Sequence, residues 1–583
     1  MKIKLARTAG FCMGVRRALE MALDLQREAL LKPIVTYGPL IHNPQTLKLL
    51  ASKGISQVNA IEQITEGTVI IRAHGISPQE KSQLESKGVT IIDATCPRVA
   101  QVQAFINKHA QMGHFCVIVG DEDHPEVRGL MGFASSGGLV ISGKDFKPRL
   151  DCVPHDQTIC VVAQTTQEPD IFRNVVDLLN SEGLKTKVYN TICDSTKKRQ
   201  AEVKDLASQA DLVIVVGGKG SGNTQRLAKV ASDHGKPVMH IETDEEISSS
   251  DLQGAEAVAV TAGASTPNWQ IRQVIDRLKQ IDRANRSDWL SKLRRLGDVS
   301  VMVYGWAALA GAGLTVTCQT LLLEPLSWIA PLVSALFVFS MHLLNRIQER
   351  GGAVRFNTPE IASFYTRHDL MLTIIGAMSS LSAIALSFKI SVLSGIVLTL
   401  MTVTGLLYSV PIFSFSRSPM KYWRAIKDFP GSKTPLVATG WAMTACALPI
   451  LDFDLIPGML AFFTTFLFAF GMVFWRTALS DLLDIQGDRI VGRETIPILL
   501  GALNTKKLLN HLLIALTLLL LASGVMQITP RLSLFLVINV VFYYLLFSFI
   551  LKRNMVDRLV LEAITDANLA ICGLVSVAYI LAS

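Results

Sequence analysis

Hydrophobic and polar positions alternate differently in the two halves of the chain. Through residues 1–296, short β-branched runs alternate with stretches whose apolar residues recur every three or four positions, a pattern typical of strands and amphipathic helices in alternation. From Val299 onward there are nine apolar segments, each near the roughly 20 residues that a helix needs to span a bilayer. The segments are approximately 299–323, 326–344, 369–388, 389–413, 434–450, 455–475, 507–527, 531–551 and 560–581. The pattern predicts an α/β first half followed by an all-α polytopic membrane domain of about nine transmembrane helices.

Positive charge is distributed unequally among the loops that join these segments. Four alternate loops together contain 17 Lys and Arg residues, whereas the intervening loops with their flanks contain only Lys389 and Arg531. The four basic loops are 345–368, 414–433, 476–507 and 552–559. Since basic loops stay in the cytoplasm, we expect an integral protein of the inner (cytoplasmic) membrane whose first half is cytoplasmic. The opening residues, MKIKLARTAG, also lack the apolar core of a signal peptide.

Composition supports the same division. Charged residues number 70 of the 296 residues in 1–296, about 24%, and 34 of the 287 residues in 297–583, about 12%. Soluble domains typically have roughly 25%. The net charge of +8 is shared evenly, +4 in each half, and gives no indication of a nucleic-acid partner. Residues 281–297 are polar and basic, which predicts a helical linker near anionic lipid headgroups. We therefore expect a soluble domain over 1–280, this linker, and a membrane domain over 298–583.

Three of the nine cysteines share one local context. Cys12, Cys96 and Cys193 each follow a short β-branched run and precede an amphipathic helical pattern, at spacings of 84 and 97 residues. The repeat predicts three αβ lobes of similar size, and a pseudo-threefold arrangement of these lobes would bring the three thiols to one point. Three thiolates at helix N-termini can hold zinc, or an iron–sulfur cluster with one iron left open for a substrate. The other cysteines lack this context and are expected to be packing residues, at positions 116, 152, 160, 318, 446 and 572.

Polar clusters lie between these cysteines, and several directly follow a strand-like run. They contain His42, His74, His124 with Glu126, Thr165, Ser221 with Asn223, and Ser265. Loops at the carboxyl ends of strands are where open α/β sheets bind ligands. Imidazoles, hydroxyls and an amide in front of helix N-termini suit a phosphate-rich anion. We therefore expect these residues and the three cysteines to form one site.

A series of short motifs runs in order through residues 1–280: GFCMGV, HNPQ, AHG, DATCP, HPEV, QTT, TIC, SGN and GAS. In order and spacing they resemble the 4-hydroxy-3-methylbut-2-enyl diphosphate (HMBPP) reductase family of the methylerythritol phosphate pathway of isoprenoid biosynthesis. The resemblance implies a [4Fe–4S] cluster on Cys12, Cys96 and Cys193, with the substrate hydroxyl bound to the unique iron. It also implies that Glu126 delivers protons, helped by His124 and Thr165.

The same resemblance implies the substrate contacts and the partners. HMBPP would be bound by His42, His74, His124, Thr165, Ser221, Asn223 and Ser265, and all of these except Thr165 would hold its diphosphate. Gly222 stands where many relatives have a second serine. The products would be isopentenyl and dimethylallyl diphosphate, and the electron donor would be a ferredoxin or a flavodoxin. The alternative hypothesis for these residues is a three-cysteine zinc hydrolase with Glu126 as general base.

The densest charged cluster of the membrane half follows the sixth apolar segment, in the run RTALSDLLDIQGDRIVGRETIP. Asp481, Asp484 and Asp488 have the spacing i, i+3, i+7, which places them on one face of a helix. Charged residues beside membrane spans are candidates for function. Three carboxylates on one face suit Mg²⁺ that bridges to a diphosphate.

With nine spans and this acidic motif, the second half resembles the UbiA-type prenyltransferase superfamily. Tyr408, in the run YSVP, and Lys427 lie in the expected cytoplasmic loop. The family's first acidic motif, Asn-Asp-x-x-Asp or Asn-x-x-x-Asp, corresponds here to Asn345 through Glu349, with Arg346 in place of a common Asp. One hypothesis is a membrane prenyltransferase that moves a prenyl group from its Mg²⁺-bound diphosphate to a lipid-soluble acceptor. The other is a non-catalytic anchor or a prenyl-diphosphate-binding module.

Overall fold

The structure is a computed structural model that describes residues 1–28, 33–142, 152–284, 289–349, 357–408, 426, 429–451, 458–551 and 557–582. The chain divides into two compact units, Met1–Asn285 and Arg286–Ser583, and the division falls inside the predicted linker 281–297. The first unit alternates strands and helices, whereas the described residues of the second unit form helices and turns but no strand.

The first unit consists of short parallel strands, each followed by a helix or a turn. Its strands are β1 (Lys2–Leu5), β2 (Ile34–Tyr37), β3 (Ile55–Val58), β4 (Thr68–Ile71), β5 (Thr90–Asp93), β6 (Phe115–Val119), β7 (Gly138–Ile141), β8 (Ile159–Ala163), β9 (Thr186–Tyr189), β10 (Leu212–Val216), β11 (Val238–Ile241) and β12 (Ala257–Ala262). Its helices are α1 (Met13–Glu28), α2 (Pro44–Ser52), α3 (Pro78–Ser86), α4 (Pro97–Gln111), α5 (Pro125–Met131), α6 (Pro169–Ser181), α7 (Asp194–Ser208), α8 (Gly222–Ser232) and α9 (Asn268–Ala284). Short 3₁₀ turns lie at Ile61–Gln63, Asp244–Glu246 and Ser250–Leu252.

The strands form three four-stranded parallel sheets of identical topology. Their orders are β3-β2-β4-β5, β7-β6-β8-β9 and β11-β10-β12-β1. In the last sheet the fourth strand comes from the start of the chain, because β1 pairs with β12, with Lys2 opposite Ala257 and Leu5 opposite Val260. The predicted three-lobed α/β architecture is confirmed, and one lobe is closed by both ends of the unit.

The central strands are apolar along their whole length because helices cover both faces of the sheets. Strands β4 (TVII), β8 (ICVVA) and β10 (LVIVV) are buried at every residue. In the sheet around β8, one face packs on Phe172 and Val175 of α6, and the other packs on Val102 and Ile106 of α4. Such continuous apolar runs are typical of parallel sheets, whose ligand-binding loops follow the carboxyl ends of the strands.

The second unit is helical in its described residues. Its helices are α10 (Trp289–Met302), α11 (Gly305–Leu321), α12 (Ile329–Glu349), α13 (Pro359–Arg367), α14 (Asp369–Ser387), α15 (Val392–Leu407), α16 (Lys433–Ala442), α17 (Met459–Val491), α18 (Ile496–Leu500), α19 (Ala502–Val525), α20 (Leu532–Ile550) and α21 (Arg558–Ala582). Among the described residues, six helices are long and apolar enough to cross a membrane: α12, α14, α17, α19, α20 and α21. A seventh candidate is Arg295–Met302 together with α11, which are bent by 64°. A helix lies in each of the nine predicted segments, but the number of nine spans stays a prediction.

Pro449 explains why the fifth predicted segment is irregular. After α16 the chain continues as a π turn over Met443–Ala447 and a 3₁₀ turn over Leu448–Ile450. Proline has no N–H to donate to the preceding turn, and its ring crowds that turn, so a regular helix cannot continue through it.

Two buried polar pairs connect the helices of the second unit. Arg476 of α17 forms a bidentate ion pair with Asp566 of α21, in which the distance from Nη2 to Oδ2 is 2.9 Å. Asn539 of α20 and Asn568 of α21 exchange hydrogen bonds of 3.0 to 3.1 Å. Because an unpaired polar group is costly in an apolar interior, these pairs fix α21 against α17 and α20.

Candidate functional site

Polar side chains occupy equivalent positions after the first strand of each lobe. His42, His124 and Ser221 each lie five residues beyond the last residue of β2, β6 and β10. His124 and Ser221 are the N-cap residues of α5 and α8, and Asn43 is the N-cap residue of α2. All three loops therefore present a helix N-terminus, where the partial positive charge of the helix dipole favours an anion.

A second set of polar residues follows the third strand of each lobe. His74 and Ser265 lie three residues beyond β4 and β12, and Thr165 lies two residues beyond β8. These residues line the same cavity as the residues that follow the first strands, and its volume is about 110 Å³. The repeated topology thus converts similar loop positions into one polar cavity.

The three predicted cysteines line this cavity as well. Cys96 and Cys193 are the N-cap residues of α4 and α7, and Cys12 directly precedes α1. The backbone N–H groups of Arg98 and Val99 donate to the sulfur of Cys96, but burial, followed by the nearby thiols, raises the pKa of this thiol. The helix N-terminus alone therefore does not hold Cys96 as a thiolate, and a bound metal centre would supply the missing stabilisation.

Gly14 provides the space for the sulfur of Cys96. A Cβ atom on Gly14 would lie 2.5 Å from Cys96 Sγ, well inside the contact distance of the two atoms. Only a residue without a side chain allows the first turn of α1 to pass this sulfur. Three thiols at separate helix starts around one cavity form a donor set that fits a three-cysteine iron–sulfur cluster, and equally a thiolate-bound zinc ion.

The three histidines form a compact cluster. The distances between ring centroids are 4.6 Å for His42–His74, 5.4 Å for His74–His124 and 5.6 Å for His42–His124. Burial lowers the pKa of all three imidazoles, to about 4 for His124 and well below the ordinary value for His74. Near pH 7 the rings are therefore neutral, and each has one N–H to donate.

Unpaired nitrogens in this cluster indicate a ligand. Nε2 of His42 and Nδ1 of His74 are buried and have no hydrogen-bond partner within the described part of the chain. Buried polar atoms are nearly always paired, so these nitrogens are suited to contact a bound group. An anion such as a diphosphate fits them, and since the ligand nitrogens lie within 4.8 Å of one another, so does a metal ion.

Glu126 lines the cavity and is only 2% exposed. The N–H of Thr165 donates to Oε1 at 2.7 Å, and Oγ1 of Thr165 donates to Oε2 at 2.9 Å. Burial raises the pKa of Glu126, although the two bonds from Thr165 favour the carboxylate. The backbone N–H of Glu126 donates to Nδ1 of His124 at 3.1 Å, so the neutral ring carries its proton on Nε2. This arrangement provides a buried carboxyl group beside a hydroxyl and an imidazole N–H, as proton transfer requires.

Ser221, Asn223 and Ser265 complete the predicted set. Oγ of Ser265 donates to the backbone oxygen of His42 at 2.9 Å and lies 3.5 Å from Oγ of Ser221. Nδ2 of Asn223 is buried without a hydrogen-bond partner among the described residues and can donate to a ligand. At Gly222 a Cβ atom would lie 3.7 Å from the His124 ring, so a side chain fits there. The structure therefore brings every predicted site residue of the first half to one cavity.

Arg226 lies next to this site and contacts its loops, and it was not predicted from the sequence. Its Nη1 donates to Oγ1 of Thr166 at 2.8 Å, and its Nη2 lies 2.5 Å from Oδ2 of Asp121. The side chain thereby ties α8 to the loops that follow β6 and β8. The acidic run GDED, which contains Asp121, indicated that a buried arginine could pair with it, because buried arginines need a carboxylate partner. The sequence does not show which arginine forms this pair.

A larger cavity, of about 400 Å³, lies within the second unit. Part of its lining is apolar and consists of Phe337, Val338, Met341, Leu436 and Val437, among others. The remainder is densely charged and includes Glu349, Asp484, Asp488, Glu562, Arg346, Lys433, Arg476, Arg493 and Arg558. An apolar chain that ends in a charged group suits such a cavity.

The three aspartates of the predicted acidic face have different surroundings. Asp484 and Asp488 line the cavity, whereas Asp481 does not appear in its lining. Instead, the oxygens of Asp481 accept from Nζ of Lys433 at 2.6 Å and from Oγ1 of Thr434 at 2.7 Å. Helical spacing predicts that all three share one face of α17, but the neighbouring helix α16 occupies both oxygens of Asp481.

The other predicted residues of the second unit also reach this cavity where they are described. Asn345, Glu349 and Tyr408 line it, and Glu349 is paired with Arg493 at 2.7 Å. Lys427 lies outside the described residues. Arg558 and Glu562 of α21 also line the cavity. They were not predicted, although charges at the start of an apolar segment were a usable signal.

The fold and the cavity of the first unit define a three-lobed α/β protein in which each lobe contributes one cysteine and two polar loops to a shared site. The chain belongs to the LytB protein family through residues 3–279, which match the family model. It is 44% identical over 287 residues to the 4-hydroxy-3-methylbut-2-enyl diphosphate reductase of Solidesulfovibrio magneticus, covering 48% of this chain and 99% of that relative. The predicted family of the first half is confirmed.

Solved structures resemble each half separately. A structure of (E)-4-hydroxy-3-methyl-but-2-enyl diphosphate reductase is 40% identical and covers 48% of this chain and 100% of its own, with a TM-score of 0.38. A UbiA homologue from Archaeoglobus fulgidus, bound to GPP and Mg²⁺, is 15% identical and covers 48% of this chain and 99% of its own, with a TM-score of 0.34. The likeness of the second half is thus distant.

Proposed function

We propose that the first unit is an HMBPP reductase that converts HMBPP and two electrons into isopentenyl and dimethylallyl diphosphate and water. The observation that carries this proposal is the single cavity that joins three cysteines to neutral histidines and a buried Glu126. Membership of the LytB family supports the same assignment. The reaction exchanges an allylic C–O bond for a C–H bond, so it consumes two electrons and two protons, one for the departing hydroxyl and one for carbon.

A [4Fe–4S] cluster held by Cys12, Cys96 and Cys193 would supply the electrons and one open iron as a Lewis acid. The donor set fits this cluster because each cysteine begins a helix and Gly14 leaves room for the sulfur of Cys96. A ferredoxin or flavodoxin is the class of protein that would reduce it. Three cysteines alone would also hold zinc, which makes the metal content the decisive measurement.

The remaining residues would bind the diphosphate and deliver protons. Nε2 of His42, Nδ1 of His74 and Nδ2 of Asn223 are unpaired in the described structure and would donate to the phosphate oxygens, together with the N-terminal N–H groups of α5 and α8. Neutral donors neutralise no charge, so the binding strength depends on the number of hydrogen bonds and on exclusion of water. Glu126 would hold the reacting proton, and Oγ1 of Thr165, 2.9 Å away, would pass it to the departing hydroxyl.

Iron and acid-labile sulfide in the anaerobically purified full-length protein test this assignment. We expect about four of each per chain in the wild type, as a [4Fe–4S] cluster requires, and a loss of iron and reductase activity in Cys193→Ser. Cys116→Ser is the matched control, because Cys116 is buried in the core of its sheet and does not line the cavity. Zinc in place of iron would favour the hydrolase, and full iron with full activity in Cys193→Ser would contradict the three-cysteine site.

For the second unit we propose a prenyltransferase of the cytoplasmic membrane that takes a prenyl diphosphate and a lipid-soluble acceptor. The supporting observation is the cavity of about 400 Å³, in which an apolar lining meets Asp484 and Asp488. One oxygen of each aspartate is buried without a hydrogen-bond partner in the described structure, which suits a Mg²⁺ ion bound to the diphosphate. A non-catalytic anchor would not need unpaired carboxylate oxygens at the end of an apolar cavity.

Asp488→Asn is the sharpest test of this second activity. Asp488 accepts from Asn357 at 3.3 Å and makes no ion pair with another described residue, so asparagine keeps the shape and the hydrogen bond. Asp484 is less suitable because it is paired with Arg558, which its replacement would leave uncompensated. In native membranes the variant should lose Mg²⁺-dependent prenyl transfer while it retains HMBPP reduction. An absence of transfer in wild-type membranes, with any of several prenyl donors and quinone-type acceptors, would favour the anchor.

A further inference from the structure

Among the described residues that line the charged part of the cavity in the second unit, one cation, Arg346, forms no ion pair within 4.0 Å. We propose that Arg346 binds the diphosphate directly, and that a single divalent cation, held by Asp484 and Asp488, completes the site. This inference rests on the proposed prenyl-diphosphate function and adds how the diphosphate is held. It concerns residues of α12 and α17, which face the same cavity.

Four of the five basic residues in the lining already have a carboxylate partner. Lys433 pairs with Asp481 at 2.6 Å, Arg493 pairs with Glu349 at 2.7 Å, Arg476 pairs with Asp566, and Arg558 pairs with Asp484 and Glu562. These pairs neutralise each other and leave little attraction for an added anion.

Arg346 differs from these residues. It forms no ion pair within 4.0 Å among the described residues, and its one hydrogen bond runs from Nη2 to Oγ1 of Thr358 at 3.2 Å. Its Nε is buried and has no partner in the described part of the chain. A guanidinium group offers several N–H donors in one plane, which matches the spacing of phosphate oxygens and permits two parallel hydrogen bonds. Arg346 is therefore available to an anion that the described residues do not supply within ion-pair distance.

Two carboxylate oxygens remain for a cation. Oδ1 of Asp484 and Oδ2 of Asp488 are buried without a hydrogen-bond partner within the described residues, and the two side chains are 5% and 1% exposed. The spacing of four residues places them one above the other on α17. Mg²⁺ usually takes one or two carboxylates together with phosphate oxygens, so this pair of oxygens is sufficient for one ion.

A second ion would need ligands on α12, and that position is already occupied by positive charge. Glu349 is paired with Arg493, and Arg346 lies one turn before Glu349 on the same helix. A divalent cation there would be repelled by two guanidinium groups and would compete with Arg493 for its carboxylate. The guanidinium of Arg346 thus takes the role that a second cation would otherwise have.

The number of bound ions tests this inference. Mn²⁺, as a paramagnetic substitute for Mg²⁺, is titrated into the full-length protein in nanodiscs in the presence of geranyl S-thiolodiphosphate, which cannot transfer its prenyl group. Electron paramagnetic resonance counts bound Mn²⁺, and Asp488→Asn provides the background. We expect one analogue-dependent ion per chain.

Variants of Arg346 supply the second measurement. Arg346→Gln should weaken binding of the analogue roughly 10- to 100-fold, the range for losing hydrogen bonds to a charged group. Arg346→Lys should recover part of the loss, since it restores the charge without the planar donors. Arg346→Asp should raise the analogue-dependent Mn²⁺ count from one to two. Arg367→Gln, at an exposed position on α13, is the matched control and should bind as the wild type does.

The outcomes separate this inference from the function on which it rests. Two ions per chain in the wild type, or unchanged binding in Arg346→Gln, would overturn the role of Arg346 while leaving a prenyl-diphosphate site. A wild type that binds neither the analogue nor analogue-dependent Mn²⁺ would overturn the proposed function of the second unit and this inference with it.

Discussion

Replacing Glu126 by glutamine removes one proton from the site of the first unit and changes little else. Glutamine has nearly the same size, and its amide oxygen can still accept from the N–H of Thr165, as Oε1 of Glu126 does at 2.7 Å. The hydroxyl of Thr165 can turn to accept from the new NH₂ group, so no buried group loses all its partners. The histidine cluster and the cysteines are untouched. The variant should therefore bind HMBPP but lack the group that protonates the departing hydroxyl.

The expected loss follows from the burial of this group. Because Glu126 is 2% exposed, water cannot readily replace it as the acid, and general acid catalysis contributes roughly 10²- to 10⁴-fold. At about 1.4 kcal/mol per factor of ten, this corresponds to about 3 to 5 kcal/mol of transition-state stabilisation. Burial raises the pKa of Glu126, so in the wild type the protonated, active form is lost as the pH rises through that raised value. In Glu126→Gln this fall in kcat at high pH should disappear.

Anaerobic turnover with an excess of a chemical reductant measures the effect without dependence on a protein electron donor. Titration with HMBPP gives kcat and KM separately, and kcat should fall at least about 100-fold while KM changes little. Glu122→Gln is the matched control, since Glu122 is exposed on the loop that precedes α5. A kcat for Glu126→Gln near that of the wild type, with its pH dependence intact, would refute Glu126 as the proton source.

Three further predictions concern the same cavity. Gly14→Ala should lower iron content and reductase activity together, because its Cβ would lie 2.5 Å from Cys96 Sγ. The control Gly220→Ala, in open space, should lower neither, and a normal iron content in Gly14→Ala would contradict a steric clash with Cys96. Gly222→Ser should lower the KM for HMBPP by up to about 5-fold, the effect of one added hydrogen bond of ~1 kcal/mol. The control Gly220→Ser should leave KM unchanged, and an equal effect of both substitutions would argue against a specific contact at position 222. His124 has a folded-state pKa of about 4, below its unfolded value near 6.5, so protonation favours unfolding and stability should fall by up to about 3 kcal/mol between pH 6.5 and 4. The stability of α5, measured by hydrogen exchange, should fall less over this pH range in His124→Asn than in the wild type, and equal decreases would contradict this assignment.

The site of the first unit was predictable because its signals are local. Each cysteine lies between a strand and a helix in the sequence itself, and the parallel sheets bring such loops to one edge. The closure of one lobe by β1 was not predictable, since its partner β12 lies at the other end of the unit. The pairing of Arg226 with Asp121 was hidden for the same reason: the two residues are 105 positions apart.

The second unit shows where periodicity stops being informative. Helical spacing predicts that Asp481, Asp484 and Asp488 lie on one side of α17, and all three are buried. It cannot predict that Lys433 of α16 forms an ion pair with Asp481, or that Arg558 of α21 forms an ion pair with Asp484. Which carboxylates remain available for a ligand depends on neighbouring helices, and helix packing is not encoded in the spacing of one segment.

The pairing of β1 with β12 has a consequence for the order of events during synthesis. Two lobes are built from continuous stretches, residues 34–93 and 115–189, and can form as they leave the ribosome. The third lobe cannot close until β12 (Ala257–Ala262) has been translated, and Cys12 gains its fixed position only then. The first strand to be made is therefore the last to be used, and the three-thiol site is completed only as the apolar segments begin to emerge. A nascent chain thus has no finished three-thiol site until β12 is available, and maturation of the first unit would overlap with synthesis of the second.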